Sequence, residues 1–183
     1  MTNDKQMLLQ RIRDGKAKGF SSLISRYGPM LMAFVGRIVI GQEDAEDVVQ
    51  ETFVIAYEHW QEYDPAKASV STWLHRIAYH EALHHLQRRK KWVLLPLEVS
   101  ENVPEELPDT TTAEQLDEAI QKLPPEDQML LQLYYFDQRP LKEIAYIMGT
   151  VSDSIDREVS RLSSLLHRIR QRLRIILTRM NNE

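Results

Sequence analysis

"LKEIAYIMGTVSDSIDREVSRL", residues 141 to 162, holds two amphipathic stretches parted by a glycine, and its reading decides the fold. Ala145 is small enough for two helices to cross at it. Gly149 follows four residues later at a turn, and Ile155 lies six further on as an apolar residue facing a shared core. Ser152 or Asp153 can cap the second helix by accepting from its first free N–H groups. The spacing predicts a helix-turn-helix. Such a triplet is only moderately specific by itself, but the helix that follows carries seven arginines between residues 155 and 180 against Asp156 and Glu158. That local basic excess is what a nucleic-acid-facing helix requires.

Upstream, "LDEAIQKLPPEDQMLLQLYYF" (116–136) reads as two helices interrupted at Pro124 and Pro125, because proline has no N–H and clashes with the preceding turn. A C-terminal unit therefore starts near Ala113. Before it, "LLPLEVSENVPEELPDTTT" (94–112) combines three prolines, an acidic bias and no helical period, the composition of a flexible linker. Elsewhere apolar residues recur at three and four rather than at two, so strand signals are nearly absent, and no internal repeat is evident. The expectation is an all-α protein: two small helical domains, 1–95 and 113–183, joined by an acidic, proline-containing linker over 96–112.

In the first domain, residues 20 to 40 suit a mostly apolar helix. "EDAEDVVQETFVIAYEHW" (43–60) opens another, with acids at its N-terminus where the helix dipole favours them. Its core stripe is Ala45, Val48, Val49, Thr52, Phe53, Ala56, Tyr57 and Trp60. Asp47, Gln50, Glu51, Val54 and Glu58 fall opposite, as a solvated face with stray aliphatics or as a docking face for another protein. After the turn "YDPAKAS" (63–69) comes "VSTWLHRIAYHEALHHLQRRKKW" (70–92), a long helix expected to begin at Ser71 or Thr72 as a cap. Leu74, Ile77, Ala78, Ala82 and Leu86 form its buried side at 100° per residue. Ser69, Trp73, Arg76, His80, His84 and Gln87 share the other. An exposed tryptophan beside hydrogen-bonding and cationic side chains, followed by "RRKK", suits single-stranded nucleic acid, which needs a ring to stack on and charge for its phosphates. The alternative is that Trp73 folds onto the core and "RRKK" merely ends a helix favourably.

"HEALHH" (80–85) contains H-E-x-x-H, which on a helix could hold a metal through His80 and His84 while Glu81 activated its bound water. A third ligand would have to come from Glu101, Glu105 or Glu106 in the linker or from distant His167. The chain has no cysteine, which fits a reducing compartment and leaves His, Asp and Glu as the strong ligands. Its apolar runs are far shorter than a bilayer needs. "MTNDKQMLLQRIRDG" carries charges where a signal peptide would carry its apolar core, so a cytoplasmic protein is expected. A net charge of −4 argues against a generic nucleic-acid binder, but the charge is segregated: residues 97 to 113 hold five acids and no base.

Taken together these segments resemble the sigma-70 family of bacterial RNA polymerase initiation factors, in its compact extracytoplasmic-function (ECF) class. "DAEDVVQETF" is similar to the class's polymerase-docking helix, "SVSTWLHRIA" to its promoter-melting helix, and "LPPEDQMLLQLYYFDQRPLKEIAYIMG" to the first half of its C-terminal domain. The resemblance covers nearly the whole chain and is far more specific than H-E-x-x-H. It implies that Asp44, Asp47, Gln50, Glu51 and Val54 engage core RNA polymerase. It implies that Lys67, Ser69, Thr72, Trp73, Arg76 and His80, with His84, Arg88 and Arg89 further along the helix, receive the non-template strand of the minus-ten element. In the C-terminal domain, Ser152, Ser154, Arg157, Ser160 and Arg161 would meet the minus-thirty-five element in promoter DNA. It also implies an anti-sigma factor as partner, which could hold the protein at the inner membrane, and no enzyme activity, small-molecule substrate, cofactor or metal.

The chain departs from the family pattern in two places. Members usually have asparagine at the position of His80 and aspartate at or next to His84. Where the class shows a pattern like "ISVGTVKSRLHRAR", this chain reads "TVSDSIDREVSRLSSLL", with Asp156 and Glu158 at usually basic positions. Those acids motivate a second reading, a sigma-like mimic that binds an anti-sigma factor without recognising a promoter, although Trp73, Arg76 and "RRKK" would then serve no purpose. A zinc hydrolase and an ordinary helix-turn-helix repressor are the further alternatives, and the repressor leaves the first domain unexplained.

Overall fold

The computed structural model describes residues 17–88, 112–149 and 154–181. Among them every regular element is helical, as the apolar spacing requires. The chain divides into two compact units, taken separately below.

The N-terminal unit packs three helices pairwise: α1 (Ala17–Val35), α2 (Gln42–Glu58) and α3 (Val70–Arg88). The helix expected over 20–40 stops at Val35; the chain then turns, and Ile38 and Val39 are buried outside any helix. Gly41 enters α2 at φ 108°, a left-handed conformation that only glycine adopts without strain. Glu43 and Asp44 occupy the first turn of α2, where the dipole stabilises negative charge. The predicted stripe of α2 is buried from Ala45 to Ala56, and Trp60 is buried in the 3-10 turn that follows. Tyr57 is the exception. It is 56% exposed, because its ring leans outward to meet Phe20 of α1 edge-on at 5.1 Å.

The cap of α3 is Ser69, not Ser71 or Thr72: its Oγ accepts from the Thr72 amide at 3.1 Å, and its carbonyl accepts from Trp73 N–H at 2.9 Å. Leu74, Ala78, Ala82 and Leu86 are buried as expected, while Ile77 is only half-buried. His75 is completely buried against Phe34 (ring centroids 5.2 Å apart), its Nδ1 2.8 Å from the Ser71 carbonyl.

In the C-terminal unit, α4 (Ala113–Gln121) opens with a reciprocal capping box between Thr112 and Gln115. Pro124 and Pro125 break the chain as read, and Pro125 becomes the first residue of α5 (Pro125–Leu131). Gln128 of α5 is buried and donates back to the carbonyl of Gln121 at the end of α4 (3.3 Å) and to that of Leu123 in the turn beyond it (2.7 Å). A π turn over Gln132–Phe136 follows and leaves Tyr134, Tyr135 and Phe136 exposed. Then come α6 (Leu141–Met148) and α7 (Ile155–Asn181). Gly149 ends α6 at φ 69°, the turn read from the sequence, and Ala145 is buried. Ile155 is not in the core as expected but exposed. The buried stripe of α7 begins at Glu158 and runs through Leu162, Leu166, Ile169 and Leu173 to Ile176 and Leu177; α4 and α5 pack on this helix. The linker, Ser152 and Asp153 lie outside the described residues.

Candidate functional site

Three sets of side chains follow from the sequence. The first is the outer face of α2, where Asp47, Gln50 and Glu51 are exposed and Val54 is 50% exposed. Val54 is thus an apolar side chain held in water among two acids and an amide. Asp44 does not join them. Its carboxylate turns toward α3, with Oδ1 3.9 Å from His85 Nε2. Asp47, Glu51 and Val54 line an open groove of about 1140 Å³ together with His84, His85 and Arg88 of α3. The family resemblance assigns the two walls to different partners and does not name His85, which the spacing of four from Glu81, another lining residue, places on the same side of α3.

The second set surrounds the loop before α3. Tyr63, Trp60 and Trp73 pack their rings together, with centroids 5.3 to 5.6 Å apart. Trp73 is therefore 8% exposed, correcting the expectation of an open stacking platform: its indole is the floor of the loop, and the reading in which it folds onto the core is the one found. Tyr63 adds a hydrogen bond from its hydroxyl to the Ala68 carbonyl at 3.1 Å, and Asp64 accepts from the Ala66 amide at 2.9 Å, so the loop is held from both ends. Thr72 is buried as well, bonded through its hydroxyl to Ser69 at 2.8 Å. Lys67 stays exposed at the loop's surface.

Farther along α3, Arg76 and His80 are half-buried, and His84 and Arg88 are exposed. Burial pushes the His80 imidazole below its ordinary value, and the positive charge of Arg76 and then of His84 adds to that shift. His84 Nδ1 lies 3.7 Å from Glu81, so the glutamate of H-E-x-x-H approaches one of its own histidines. No group of three or more His, Asp or Glu side chains that could hold a metal assembles among the described residues. Arg89 lies outside them.

The third set is the start of α7. Arg157, Ser160 and Arg161 are exposed and Ser154 is half-buried. Ser160 donates to the Asp156 carbonyl at 2.9 Å. Ser152 lies outside the described residues. Asp156 is exposed, but Glu158, read as an acid on the DNA-facing side, is buried and accepts from Arg161 Nε at 2.7 Å.

The structure thus holds two small helical units, the first with an exposed polar face on α2 and a pinned loop before α3, the second ending in a long arginine-bearing helix. The Sigma-70 region 2 family model matches residues 23–92, and the Sigma-70, region 4 model matches residues 113–173. The chain is 32% identical over 126 residues to ECF RNA polymerase sigma factor SigF of Caulobacter vibrioides, covering 68% of this chain and 70% of that one. In fold it is similar to CnrH, solved in complex with the cytosolic domain of CnrY (TM-score 0.66, 21% identity, 95% and 97% of the two chains). It is also similar to the sigma factor RpoE of Bartonella quintana, solved in complex with the anti-sigma factor NepR (TM-score 0.62, 20% identity, 88% and 98%). The chain belongs to the ECF class of the sigma-70 family of bacterial RNA polymerase sigma factors. Among the described residues no helix is long and apolar enough to cross a membrane.

Proposed function

We propose that the protein directs core RNA polymerase to specific promoters through a division of labour along the chain. Residues 1 to 95 dock on the polymerase and capture the minus-ten element, 96 to 112 form the acidic linker, and 113 to 183 read the minus-thirty-five element. The observation that carries the reading is the face of α2: Asp47, Gln50, Glu51 and half-exposed Val54 face solvent while the opposite face is buried. Asp44 contributes through its negative charge at the helix start, beside His85.

Opening the promoter is strand capture and needs no covalent chemistry, so the protein is not itself a catalyst. A base leaves the stack at a cost of a few kcal/mol and is compensated by hydrogen bonds and contacts in a protein pocket. With Trp73 and Thr72 buried, they shape the loop from below. The groups that reach the strand are Lys67 and Ser69 on the loop and Arg76, His80, His84, Arg88 and Arg89 along α3. Ser152, Ser154, Arg157, Ser160 and Arg161 meet the upstream element, some on phosphates, which position the helix, and some on bases, which specify sequence.

An anti-sigma factor is the further partner. The complex of RpoE with NepR supports that assignment, as does the exposed face of α2. The protein works in the cytoplasm, and a membrane-anchored anti-sigma partner would hold it at the inner membrane. The mimic reading loses half its motive, because Glu158 is buried and paired rather than facing DNA. Copurification with core polymerase followed by sequencing of the bound DNA tests the proposal, and run-off transcription on the recovered templates completes it. Failure to bind core polymerase would overturn it; binding without transcription on any template would favour the mimic.

A further inference from the structure

Glu158 is an acid in the first turn of a DNA-reading helix, at a position where like charge would repel phosphates, yet its side chain is only 7% exposed. A buried carboxylate needs compensation. The dipole at the start of α7 supplies part of it, and the Nε–H of Arg161 supplies a charge-assisted hydrogen bond of 2.7 Å. Arg161 in turn is 53% exposed. Its guanidinium therefore has one edge held inside and the rest turned outward. Of its five N–H donors, the one on Nε is used inward, which leaves the terminal nitrogens for an outside acceptor. At 100° per residue, Arg157, Ser164 and Arg168 share an arc of about 60° with Arg161, so the held guanidinium belongs to one continuous basic stripe of the helix.

We infer that Glu158 is a positioning residue for Arg161: it fixes the plane of that guanidinium so that its terminal nitrogens present a preset fork to one base pair of the upstream element. The inference rests on the reading of α7 as the promoter-reading helix. An arginine free in solution samples many rotamers and loses that freedom on binding, at a cost of roughly 2- to 10-fold in affinity. A guanidinium already held through Nε has lost it beforehand. The fork geometry suits the O6 and N7 acceptors of guanine, the bidentate contact that discriminates a base pair by roughly 5- to 150-fold. The acid that looks unfavourable for DNA binding is thereby turned into a specificity device.

The test is a selection on DNA carrying a randomised upstream window at fixed spacing from a constant minus-ten element, using core polymerase loaded with the full chain. Wild type, Arg161→Ala, Glu158→Gln, Glu158→Ala and the double variant Glu158→Gln/Arg161→Ala are compared. Glu158→Gln keeps the side chain's volume and so guards against simple loss of folding. Arg161→Ala is expected to erase preference at one base pair. Glu158→Gln should lower preference at that same base pair by roughly 2- to 10-fold, with the other positions unchanged, and should add nothing in the Arg161→Ala background. A purely structural role for Glu158 would instead weaken all positions alike, in both backgrounds, and would overturn the inference. So would an unchanged profile in Glu158→Gln alongside a changed one in Arg161→Ala. If Arg161→Ala changes nothing while wild type selects a motif, Arg161 has no reading role and the inference falls although the promoter reading stands. If wild type selects no motif, both fall.

Discussion

Arg172 donates from Nη1 to Oδ2 of Asp127 at 2.7 Å, joining the middle of α7 to the first turn of α5. Burial nevertheless wins at this carboxylate. It pushes Asp127 above its ordinary value, while Arg172 and then Arg168 pull it partly back. Arg172→Met removes the direct partner and leaves a buried charge, at an expected cost of about 1–3 kcal/mol, below the roughly 3–5 kcal/mol of a fully buried pair because Arg172 is partly exposed. The sign with pH follows from the raised value. The folded state holds the Asp127 proton more tightly than the unfolded chain, so stability is higher below the folded value and falls as pH rises through it. The Arg172→Met deficit should therefore be larger at pH 7 than at pH 4 in parallel thermal melts. Equal deficits at both would show that the pair carries no net charge effect.

The ring cluster of Trp60, Tyr63 and Trp73 separates two ways of losing promoter melting. Trp73→Ala empties a buried aromatic site and should cost about 3–5 kcal/mol in chemical denaturation, with open-complex formation lost as the loop comes free. Lys67→Ala, at an exposed position, should leave stability within about 0.5 kcal/mol and weaken open-complex formation alone, with a smaller salt dependence. If Trp73→Ala folds with wild-type stability and loses only melting, the tryptophan faces the strand after all.

Val54 is held half in water on the outer face of α2, the face proposed to dock on polymerase, so Val54→Glu should be nearly neutral for folding, within about 0.5 kcal/mol. A charge at the centre of an apolar contact is costly to desolvate, and core polymerase binding should fall by about tenfold or more. Titration of labelled protein with core polymerase measures it. Unaltered affinity would remove Val54 and its neighbours from the docking surface.

Much of this was legible in the sequence, and the failures have physical causes. The stripe of α2 could be read because its apolar residues are numerous and regularly spaced, so that one face wins by area. Trp73 was misplaced because periodicity assigns a face from the position of Cβ. A side chain as large as indole reaches round the helix to rings at Trp60 and Tyr63, whose nearness is tertiary. Glu158 failed for a related reason. Its angle places it beside the core stripe, but an acid is normally assigned to solvent unless a partner is known, and Arg161 becomes visible as that partner only in the folded chain. The cap of α3 lies two or three residues before the expected one because Ser69, Ser71 and Thr72 all carry hydroxyls, and only the turn through Tyr63 and Asp64 selects among them.

The folded value of His80 lies below its ordinary 6.5 because of burial, then Arg76, then His84. Its contribution to stability is therefore fully present above that value. It declines as pH falls from there toward the folded value, because the unfolded chain takes up a proton that the folded chain resists. His80→Asn, the residue usual at this position in the family, removes the titration and should flatten the loss of stability on the acid side of neutrality. At neutral pH the imidazole is uncharged and neutralises no phosphate, so the same variant should leave the salt dependence of open-complex formation unchanged there. Thermal melts from pH 7.5 down to 5 and promoter opening at two salt concentrations read both effects. A variant that keeps the wild-type acid slope, or lowers the salt dependence at neutral pH, would show that His80 is charged in the folded protein and neutralises a phosphate of the strand.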